Sequence, residues 1–216
     1  MRVLFFGDSI CVGEYVSPHL IWTTQIAARL EEAFPRSDVL VINSSLNGNT
    51  TRQALERMAF DVQRYAPDML IVQFGINDCH FWDSDKGVPR VQKLTFEANL
   101  HEIIARGRNF GARKVILHTN HPTSKHIAFL NVNHGPGNAA YNEIIRRVAS
   151  TDGRVELLDL EKVFQVRVEA GEALDKLLMP DGIHLSLAGH QLYYENVCPV
   201  VERSVRELLK ETERQA

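Results

Sequence analysis

Short uninterrupted apolar runs, each followed by a glycine or a polar residue, recur along the chain. The first is Val3-Leu4-Phe5-Phe6, which stops at Gly7-Asp8-Ser9. Runs of this length without polar interruption are typical of strands that are buried on both faces of a sheet. The same pattern predicts four further strands, over residues 39–42, 69–74, 114–119 and 155–160.

Segments with apolar residues at helical spacing separate these runs. The clearest stripe recurs every four residues and consists of Trp22, Ile26, Leu30 and Phe34. Ser17 before Pro18 predicts the start of this helix. Thr50 or Thr51 is expected to cap the next one. Further helices are predicted around residues 96–110, 138–150 and 162–170 and after Ser186, which leaves two long loops over residues 79–93 and 120–137.

Strands that alternate with helices along a chain form parallel sheets with helices on both faces. The pattern therefore predicts an α/β fold in which a five-stranded parallel sheet lies between two helical layers. No internal repeat, low-complexity tract or linker divides the sequence. We therefore expect residues 1–216 to form one domain.

The composition is that of a globular chain with a full core, since 44% of the 216 residues are hydrophobic and 24% are charged. The formal net charge of -3 provides no general attraction to nucleic acid or to an anionic membrane. Neither is therefore expected as a partner. These features do not predict the oligomeric state.

The three cysteines, Cys11, Cys79 and Cys198, are far apart and lack the paired spacing of a metal site. An odd, dispersed set favours a reducing compartment without disulfides. The first predicted strand begins by Val3, which leaves no room for a secretory leader, and no apolar run is long enough to span a bilayer. The chain as written is expected to be soluble and cytoplasmic; a leader removed before this sequence begins would not be visible in it.

Polar residues gather where the predicted strands end. They comprise Ser9, Gly48, Asn77, His121, Asp181 and His184. The carboxyl ends of parallel strands meet at one edge of the sheet, where open α/β sheets bind their ligands. We therefore expect these residues to form one site.

Together they supply the parts that a serine needs to hydrolyse an ester. Ser9 offers the hydroxyl, and His184 can accept its proton. Asp181, three residues before His184, can bind the other imidazole nitrogen. The backbone N–H groups of Ser9 and Gly48 and the side-chain amide of Asn77 are candidate donors for the oxyanion.

Other polar and aromatic residues are candidates for contact with substrate. His80 and Trp82 in the first long loop form either a hydrophobic plug of that loop or a wall of the substrate cleft. Asn120 or His121 is expected to line the cleft. His118 and His121 are spaced like a pair of metal ligands, but on a strand they face opposite sides, and no carboxylate or thiolate is clustered with them. No metal is therefore expected.

Four blocks of the sequence resemble the ordered signature of the GDSL/SGNH hydrolase family. They are Gly7-Asp8-Ser9, Asn43-x-x-x-x-Gly48-x-Thr50, Gly75-x-Asn77-Asp78 and Asp181-x-x-His184, in the family's order over residues 7–184. The resemblance implies a flavodoxin-like α/β/α sandwich with Ser9, His184 and Asp181 as catalytic residues. It also implies an oxyanion hole of Ser9, Gly48 and Asn77, no metal and no cofactor.

We therefore predict a serine hydrolase that cleaves a small-molecule carboxylic ester through an acyl-enzyme. A short acyl group on a polar, sugar-like alcohol is expected, since no long apolar tunnel is evident and the long loops carry asparagines and histidines. A lysophospholipase or acyl-thioesterase, and a catalytically silent binding module, stay open as alternatives. A nucleotide-binding protein is disfavoured, because the residues after the first strand lack the P-loop lysine and the dinucleotide glycine spacing.

Overall fold

Five parallel strands form the central sheet of the protein, of which a computed structural model describes residues 1–215. The strands of this part of the chain are β1 (Arg2–Gly7), β2 (Leu40–Asn43), β3 (Met69–Gln73), β4 (Lys114–His118), β5 (His126–Ile127), β6 (Val132–Asn133) and β7 (Val155–Leu158). The sheet has the order β2-β1-β3-β4-β7, and all neighbouring strands are parallel. Strands β5 and β6 form a separate antiparallel hairpin.

Helices connect and cover these strands. They are α1 (Ser9–Val12), α2 (Trp22–Ala33), α3 (Thr51–Asp61), α4 (Lys93–Asn109), α5 (His134–Ser150), α6 (Leu160–Glu169), α7 (Leu174–Leu177) and α8 (Leu187–Gln215). Short 3-10 turns lie at Pro18–Leu20, Gln63–Tyr65, Asp83–Asp85 and Ala128–Leu130. Among the helices of residues 1–215, none is both long and apolar enough to cross a membrane.

Alternate residues of each strand point to opposite faces of the sheet and bury two separate apolar clusters. Val3 and Phe5 of β1 pack with residues of α2, α6 and α8. Leu4 and Phe6 pack with residues of α3, α4 and α5. All four side chains are fully buried. The prediction of a three-layer α/β/α fold with a five-stranded parallel sheet is therefore confirmed.

Two helices begin elsewhere than predicted. Ser17 does not cap α2, because a 3-10 turn follows it and α2 starts at Trp22 without a side-chain cap. The predicted loop over residues 120–137 contains the β5-β6 hairpin, and α5 already begins at His134. Pro136 is compatible with this start, because the N–H groups of a first helical turn have no acceptor within the helix.

Two other helices begin with a side-chain cap, as predicted for Thr50. The Thr50 hydroxyl accepts a hydrogen bond from the N–H of Gln53 at 3.5 Å, and Oε1 of Gln53 accepts one from the N–H of Thr50 at 3.0 Å. The Ser186 hydroxyl accepts a hydrogen bond from the N–H of Gly189 at 3.2 Å. These caps satisfy N–H groups at the starts of α3 and α8, the helices that follow two of the loops bearing predicted site residues.

Gly7 at the end of β1 sets the path of the chain at the edge of the sheet. A Cβ atom here would lie 2.6 Å from Sγ of Cys11 and 2.8 Å from the carbonyl oxygen of Gln73. Because contacts this short are not tolerated next to backbone, glycine is the residue that lets α1 begin directly after the strand. The turn places Asp8 and Ser9 at the carboxyl edge of the sheet.

Candidate active site

Ser9 is the first residue of α1, one position beyond the residue that caps this helix. That cap is Asp8, whose Oδ1 accepts a hydrogen bond from the N–H of Ile10 at 3.0 Å. Ser9 is buried, with 5% of its surface exposed. The tight turn and the cap therefore hold the Ser9 hydroxyl at a defined position on the edge of the sheet.

The turn before α8 brings an imidazole and a carboxylate to this hydroxyl. Nε2 of His184 lies 2.9 Å from Oγ of Ser9, and Nδ1 lies 2.5 Å from Oδ2 of Asp181. Oδ1 of Asp181 accepts hydrogen bonds from the N–H groups of Ile183 at 2.9 Å and His184 at 3.0 Å. The structure thus brings Ser9 together with Asp181 and His184, although Ser9 and His184 are 175 positions apart in the sequence.

The hydrogen bonds of Asp181 determine which nitrogen of the imidazole carries a proton. Partial burial opposes ionisation of Asp181, but the hydrogen bonds from His184 and from two backbone N–H groups lower the pKa of the carboxyl below its usual value. An ionised carboxylate accepts a hydrogen bond from the N–H at Nδ1, which leaves Nε2 as the acceptor of the imidazole. The Ser9 hydroxyl can therefore donate to Nε2.

Three candidate donors face the same region. Gly48 has a φ of +71°, a left-handed conformation that favours glycine. The backbone N–H groups of Ser9 and Gly48 donate to no acceptor within residues 1–215. Nδ2 of Asn77 donates a hydrogen bond to Oδ2 of Asp8 at 3.2 Å, and its second proton is available to a ligand.

Arg90 connects two of these donors. Nη1 of Arg90 donates to the carbonyl oxygen of Gly48 at 3.0 Å and to Oδ1 of Asn77 at 3.5 Å. The second contact requires the oxygen of the Asn77 amide to face the guanidinium, so that the Nδ2 group faces Asp8. The guanidinium also lies over the ring of Trp82, with its carbon 5.2 Å from the ring centre.

These residues line a cleft of about 210 Å³. Its walls are formed by Ser9, Gly48, Ile76, Asn77, His80, Trp82, Arg90, Lys125, Ile183 and His184. The predicted site residues His80 and Trp82 are thus placed at the cleft. Arg90 and Lys125 also line the cleft but are not predicted, because in the sequence each is only a charged residue in a long loop after a strand.

Asn120 and His121 do not line the cleft, contrary to the prediction. Both are fully buried. Asn120 accepts a hydrogen bond from Nε2 of Gln73 at 2.8 Å and donates to the carbonyl oxygen of Phe74 at 3.2 Å. His121 is held between the Tyr193 hydroxyl at 2.8 Å and the carbonyl oxygen of Ile183 at 2.7 Å. Both residues use their polar side-chain atoms in hydrogen bonds that connect segments beneath the site. Neither residue can therefore reach a substrate.

Contrary to the prediction, His118 and His121 do not face opposite sides. Trp22 and His121 both contact Tyr193, with 5.4 and 5.7 Å between ring centres, and His118 belongs to the same aromatic cluster. His118 is fully buried and packs against Trp22, with 5.9 Å between ring centres. Burial lowers the pKa of His118 to about 3 and that of His121 to about 4. Both imidazoles are therefore neutral at physiological pH and belong to the interior of the protein.

Two buried carboxyl groups lie behind the cleft. Burial raises the pKa of Asp8 from 3.8 to about 7, and the neighbouring Asp78 contributes in the same direction. Burial also raises the pKa of Asp78 to about 6, against the hydrogen bonds that it accepts from Thr51. Oδ1 of Asp78 lies 2.9 Å from the N–H and 2.5 Å from the hydroxyl of Thr51. Asp78 therefore ties the loop after β3 to the start of α3.

Burial and nearby cationic groups together lower the pKa of His80. Partial burial lowers its pKa to about 4, and the nearby Lys125 and Arg90 act in the same direction. His80 is therefore neutral at physiological pH. The positive charge on this side of the cleft comes from Arg90 and Lys125.

The fold and this site define an α/β hydrolytic enzyme, and comparison with known proteins identifies its family. Residues 5–192 match the model of the GDSL-like Lipase/Acylhydrolase family. The chain therefore belongs to this family. It is a carboxylic ester hydrolase, and a catalytic triad and an oxyanion hole are expected features of such enzymes.

Individual relatives agree with this membership. The chain is 29% identical to the uncharacterized lipoprotein YqeF of Bacillus subtilis (strain 168), over 90% of this chain and 87% of that protein. It is 25% identical to an acetylxylan esterase of Geobacillus stearothermophilus, over 88% of this chain and 89% of the relative. The structure of a lipase/acylhydrolase from Enterococcus faecalis superposes with a TM-score of 0.73 and 25% identity, over 94% of this chain and 96% of that one.

Proposed function

We propose that this esterase acts through an acyl-enzyme at Ser9 and removes short acyl groups, acetyl above all, from a polar, sugar-like alcohol. The observation that carries the proposal is the continuous hydrogen-bonded series from Asp181 through His184 to Ser9, with separations of 2.5 and 2.9 Å. A serine hydroxyl becomes nucleophilic when an adjacent imidazole, oriented by a third group, accepts its proton.

In the proposed mechanism, Oγ of Ser9 attacks the ester carbonyl carbon while its proton passes to Nε2 of His184. The tetrahedral intermediate then expels the alcohol, whose oxygen takes the proton from Nε2. Water next attacks the acyl carbon, gives a proton to Nε2, and breaks the ester of Ser9, which regains its proton as the acid leaves. Asp181 stays ionised and stabilises the imidazolium in both half-reactions.

The carbonyl oxygen becomes negatively charged in each tetrahedral intermediate. We assign its stabilisation to the N–H groups of Ser9 and Gly48 and to Nδ2 of Asn77. Loss of one donor of this kind typically costs about 2.7 to 4 kcal/mol of transition-state stabilisation. Asn77→Ala is therefore expected to lower kcat by roughly 10² to 10³.

The size of the cleft supports a short acyl group. Its volume of about 210 Å³ lies below the range of about 300 to 1,000 Å³ that drug-sized ligands occupy. The relative named acetylxylan esterase supports an acetyl ester of a sugar.

The test is hydrolysis of a simple acetate ester by Ser9→Ala, with Ser150→Ala, an exposed serine on α5, as the matched control. Ser9→Ala should lose at least about 10³-fold in kcat, whereas the control should retain activity. Acid quenching of the wild-type enzyme during turnover of a p-nitrophenyl ester should leave an acyl group on the peptide that contains Ser9. Undiminished hydrolysis by Ser9→Ala would overturn the assignment of the nucleophile.

A lysophospholipase or acyl-thioesterase is the second candidate, and one observation favours it. Trp82 lines the cleft and is 54% exposed, which offers apolar surface to an acyl chain. A series of p-nitrophenyl esters with acyl chains from acetate to palmitate separates the two candidates. A kcat/KM that rises with chain length would support the second candidate and reject the acetyl-type reaction.

We also propose a cytoplasmic location, based on the three cysteines, which are all buried and unpaired by disulfides. The relative from B. subtilis is named a lipoprotein. Expression of the complete gene followed by cell fractionation would decide it. Recovery of the protein with the membrane or the culture medium would contradict it.

A further inference from the structure

The segment after α1 lies against the imidazole of His184. Oε2 of Glu14 is 3.2 Å from Nε2 of His184, the nitrogen that also faces Ser9. The ring of Tyr15 meets the imidazole edge-on, with 5.2 Å between ring centres and an interplanar angle of 88°. Glu14 and Tyr15 therefore flank the atom that exchanges protons in the proposed mechanism.

This segment is held in an uncommon conformation. The carbonyl oxygen of Ser9 accepts hydrogen bonds from the N–H groups of Gly13 at 2.9 Å and Glu14 at 3.2 Å. Gly13 and Tyr15 are both left-handed, with φ values of +74° and +70°. A bulky residue such as tyrosine rarely adopts a positive φ, and backbone of this kind concentrates at ligand sites. The turn directs both side chains toward His184.

A depression of about 310 Å³ lies beside this segment, on the surface of the protein. It is lined by Tyr15, Met179, Pro180 and Asp181. None of these four residues lines the cleft that contains Gly48 and Asn77. Tyr15 is 69% exposed, so much of its ring surface is open to a ligand in spite of its contact with His184.

The direction of proton transfer indicates which half of the ester approaches this segment. Nε2 of His184 gives its proton to the oxygen of the departing alcohol, so that oxygen must approach Nε2 within hydrogen-bonding distance. Glu14 lies within 3.2 Å of the same nitrogen. The alcohol half of the ester is therefore next to Glu14, while the carbonyl oxygen faces the donors at Gly48 and Asn77.

We propose that Glu14, Tyr15, Met179 and Pro180 form the subsite for the alcohol half of the substrate, and that its ligand is a neutral polyhydroxy compound such as a sugar. This inference rests on the proposed function and extends it to the recognition of the alcohol. The Glu14 carboxylate accepts hydrogen bonds from hydroxyl groups next to the ester. The open face of Tyr15 packs against the apolar C–H face of the sugar ring.

The charge of the subsite gives it selectivity. Asp181 lines the depression, and Glu14 precedes Tyr15 in the chain and lies against His184; both are acidic. Within residues 1–215, no lysine or arginine lines the depression. An alcohol that carries phosphate or carboxylate would be placed next to these carboxylates and repelled. The subsite therefore selects against the anionic leaving groups of lysophospholipids and coenzyme thioesters.

The experiment compares two acetyl esters with different alcohols, p-nitrophenyl acetate and an acetylated methyl xyloside. Glu14→Ala and Tyr15→Ala should each lower the ratio of kcat/KM for the xyloside to that for p-nitrophenyl acetate by about tenfold, chiefly through KM. Tyr15→Phe retains the ring and should keep the ratio within about threefold of the wild-type value. Glu169→Gln, an exposed position on α6, is the matched surface control.

Two failures are distinguishable. If the variants lower kcat/KM equally for both substrates, while the wild type hydrolyses both, then Glu14 and Tyr15 act only through His184 and the proposed subsite is overturned. If the wild type hydrolyses p-nitrophenyl acetate but no acetylated sugar, the polar-alcohol part of the proposed function fails, and the subsite fails with it.

A second measurement keeps the proposal testable if an alanine variant does not fold. It compares 4-acetoxybenzoate with its methyl ester, two substrates that differ in the charge of the leaving group. Glu14→Gln should raise the relative kcat/KM for the anionic substrate severalfold at low salt, and added salt should reduce this gain. An unchanged ratio would overturn the role given to the Glu14 charge.

Discussion

The side-chain amide of Asn77 donates a hydrogen bond to the carboxyl group of Asp8, with 3.2 Å between Nδ2 and Oδ2. Asp8 is fully buried, and burial raises its pKa from 3.8 to about 7 in spite of the hydrogen bond from the N–H of Ile10. A proposed donor of the oxyanion hole is thus held by a group whose charge changes near neutral pH.

Asp8 is expected to make the stability of the protein depend on pH. Its folded-state pKa lies above its unfolded value, so the unfolded chain releases the proton first as pH rises. The stability contributed by this group is therefore fully present below about pH 4 and lost as pH rises through about 7. The difference between 3.8 and about 7 corresponds to roughly 4 kcal/mol.

The Asp8→Asn side chain cannot ionise. The free energy of unfolding of this variant should therefore rise relative to that of the wild type as the pH increases from about 4 to about 8. The expected gain is a few kcal/mol, measured by urea unfolding at the two pH values. Asp83→Asn, at an exposed position, is the control. An Asp8→Asn difference that does not change with pH would contradict the raised pKa.

Arg90 is expected to position the donors of the oxyanion hole, since it binds the carbonyl oxygen of Gly48 and Oδ1 of Asn77. Arg90→Ala should lower kcat about tenfold, equivalent to about 1.4 kcal/mol, with a smaller change in KM. Steady-state kinetics on an acetate ester measure this split, and Arg36→Ala, an exposed site, serves as the comparison. A rise in KM alone would mean that Arg90 binds substrate instead.

His121 is expected to support the turn that carries His184. Nε2 of His121 donates to the carbonyl oxygen of Ile183, so Nδ1 accepts from the Tyr193 hydroxyl. His121→Ala should lower the free energy of unfolding by about 2 to 4 kcal/mol and reduce activity as well, because a buried carbonyl loses its donor. Tyr193→Phe should cost less, about 1 to 2 kcal/mol, since the bond to Ile183 is retained and only Nδ1 of His121 loses its partner.

The pH dependence from His121 has the opposite sign to that from Asp8. Burial lowers the pKa of His121 from 6.5 to about 4, so its contribution to stability is present above about pH 6.5 and lost as pH falls through about 4. The free energy of unfolding of His121→Ala should therefore change less with pH than that of the wild type between about pH 4 and about pH 6.5. His101→Ala, an exposed histidine of α4, should show the wild-type dependence.

Gly182 and Gly171 form a matched pair for testing the turn beside His184. Both glycines are left-handed, with φ values of +71° and +98°. A Cβ at Gly182 would lie 2.7 Å from the backbone nitrogen of Lys125, whereas a Cβ at Gly171 would meet nothing within 4 Å. Gly171→Ala should lower the free energy of unfolding by about 1 kcal/mol and leave activity unchanged, because its only cost is that alanine must adopt a left-handed conformation.

Gly182→Ala should lower the free energy of unfolding by more than Gly171→Ala does, and it should also lower kcat. Both effects are expected because relief of the clash must move the turn that holds Asp181 and His184. Thermal unfolding and esterase kinetics on the two variants measure both effects. Equal destabilisation with equal activity would show that the close approach at Gly182 is relieved without moving the catalytic turn.

Much of the fold could be predicted from local sequence patterns. The run Val3-Leu4-Phe5-Phe6 predicts a strand buried on both faces, and the structure divides it between the two apolar clusters. Such predictions succeed because the period of a strand or a helix is a local property of the chain. The helix start at Ser17 is predicted wrongly, because a cap that is compatible with a helix does not oblige the chain to use it.

The members of the candidate site divide in the same way. Ser9, Gly48, Asn77, Asp181 and His184 could be proposed from the sequence alone, because each belongs to a short block whose residue types suit one chemical task. Asn120 and His121 could not be excluded, because their loop position and polarity are those of cleft residues. Burial depends on which distant side chains meet them, such as Gln73 and Tyr193.

The sequence by itself determined the order of the elements and the chemical groups available for ester hydrolysis. Tertiary structure alone decided that Glu14 and Tyr15 lie against His184, that Arg90 joins Gly48 to Asn77, and that Asp8 is buried. These relationships join residues far apart in the chain or depend on backbone angles that a residue's identity does not predict. Distance and burial, which set hydrogen bonding and pKa, exist only once the sheet and its loops have come together.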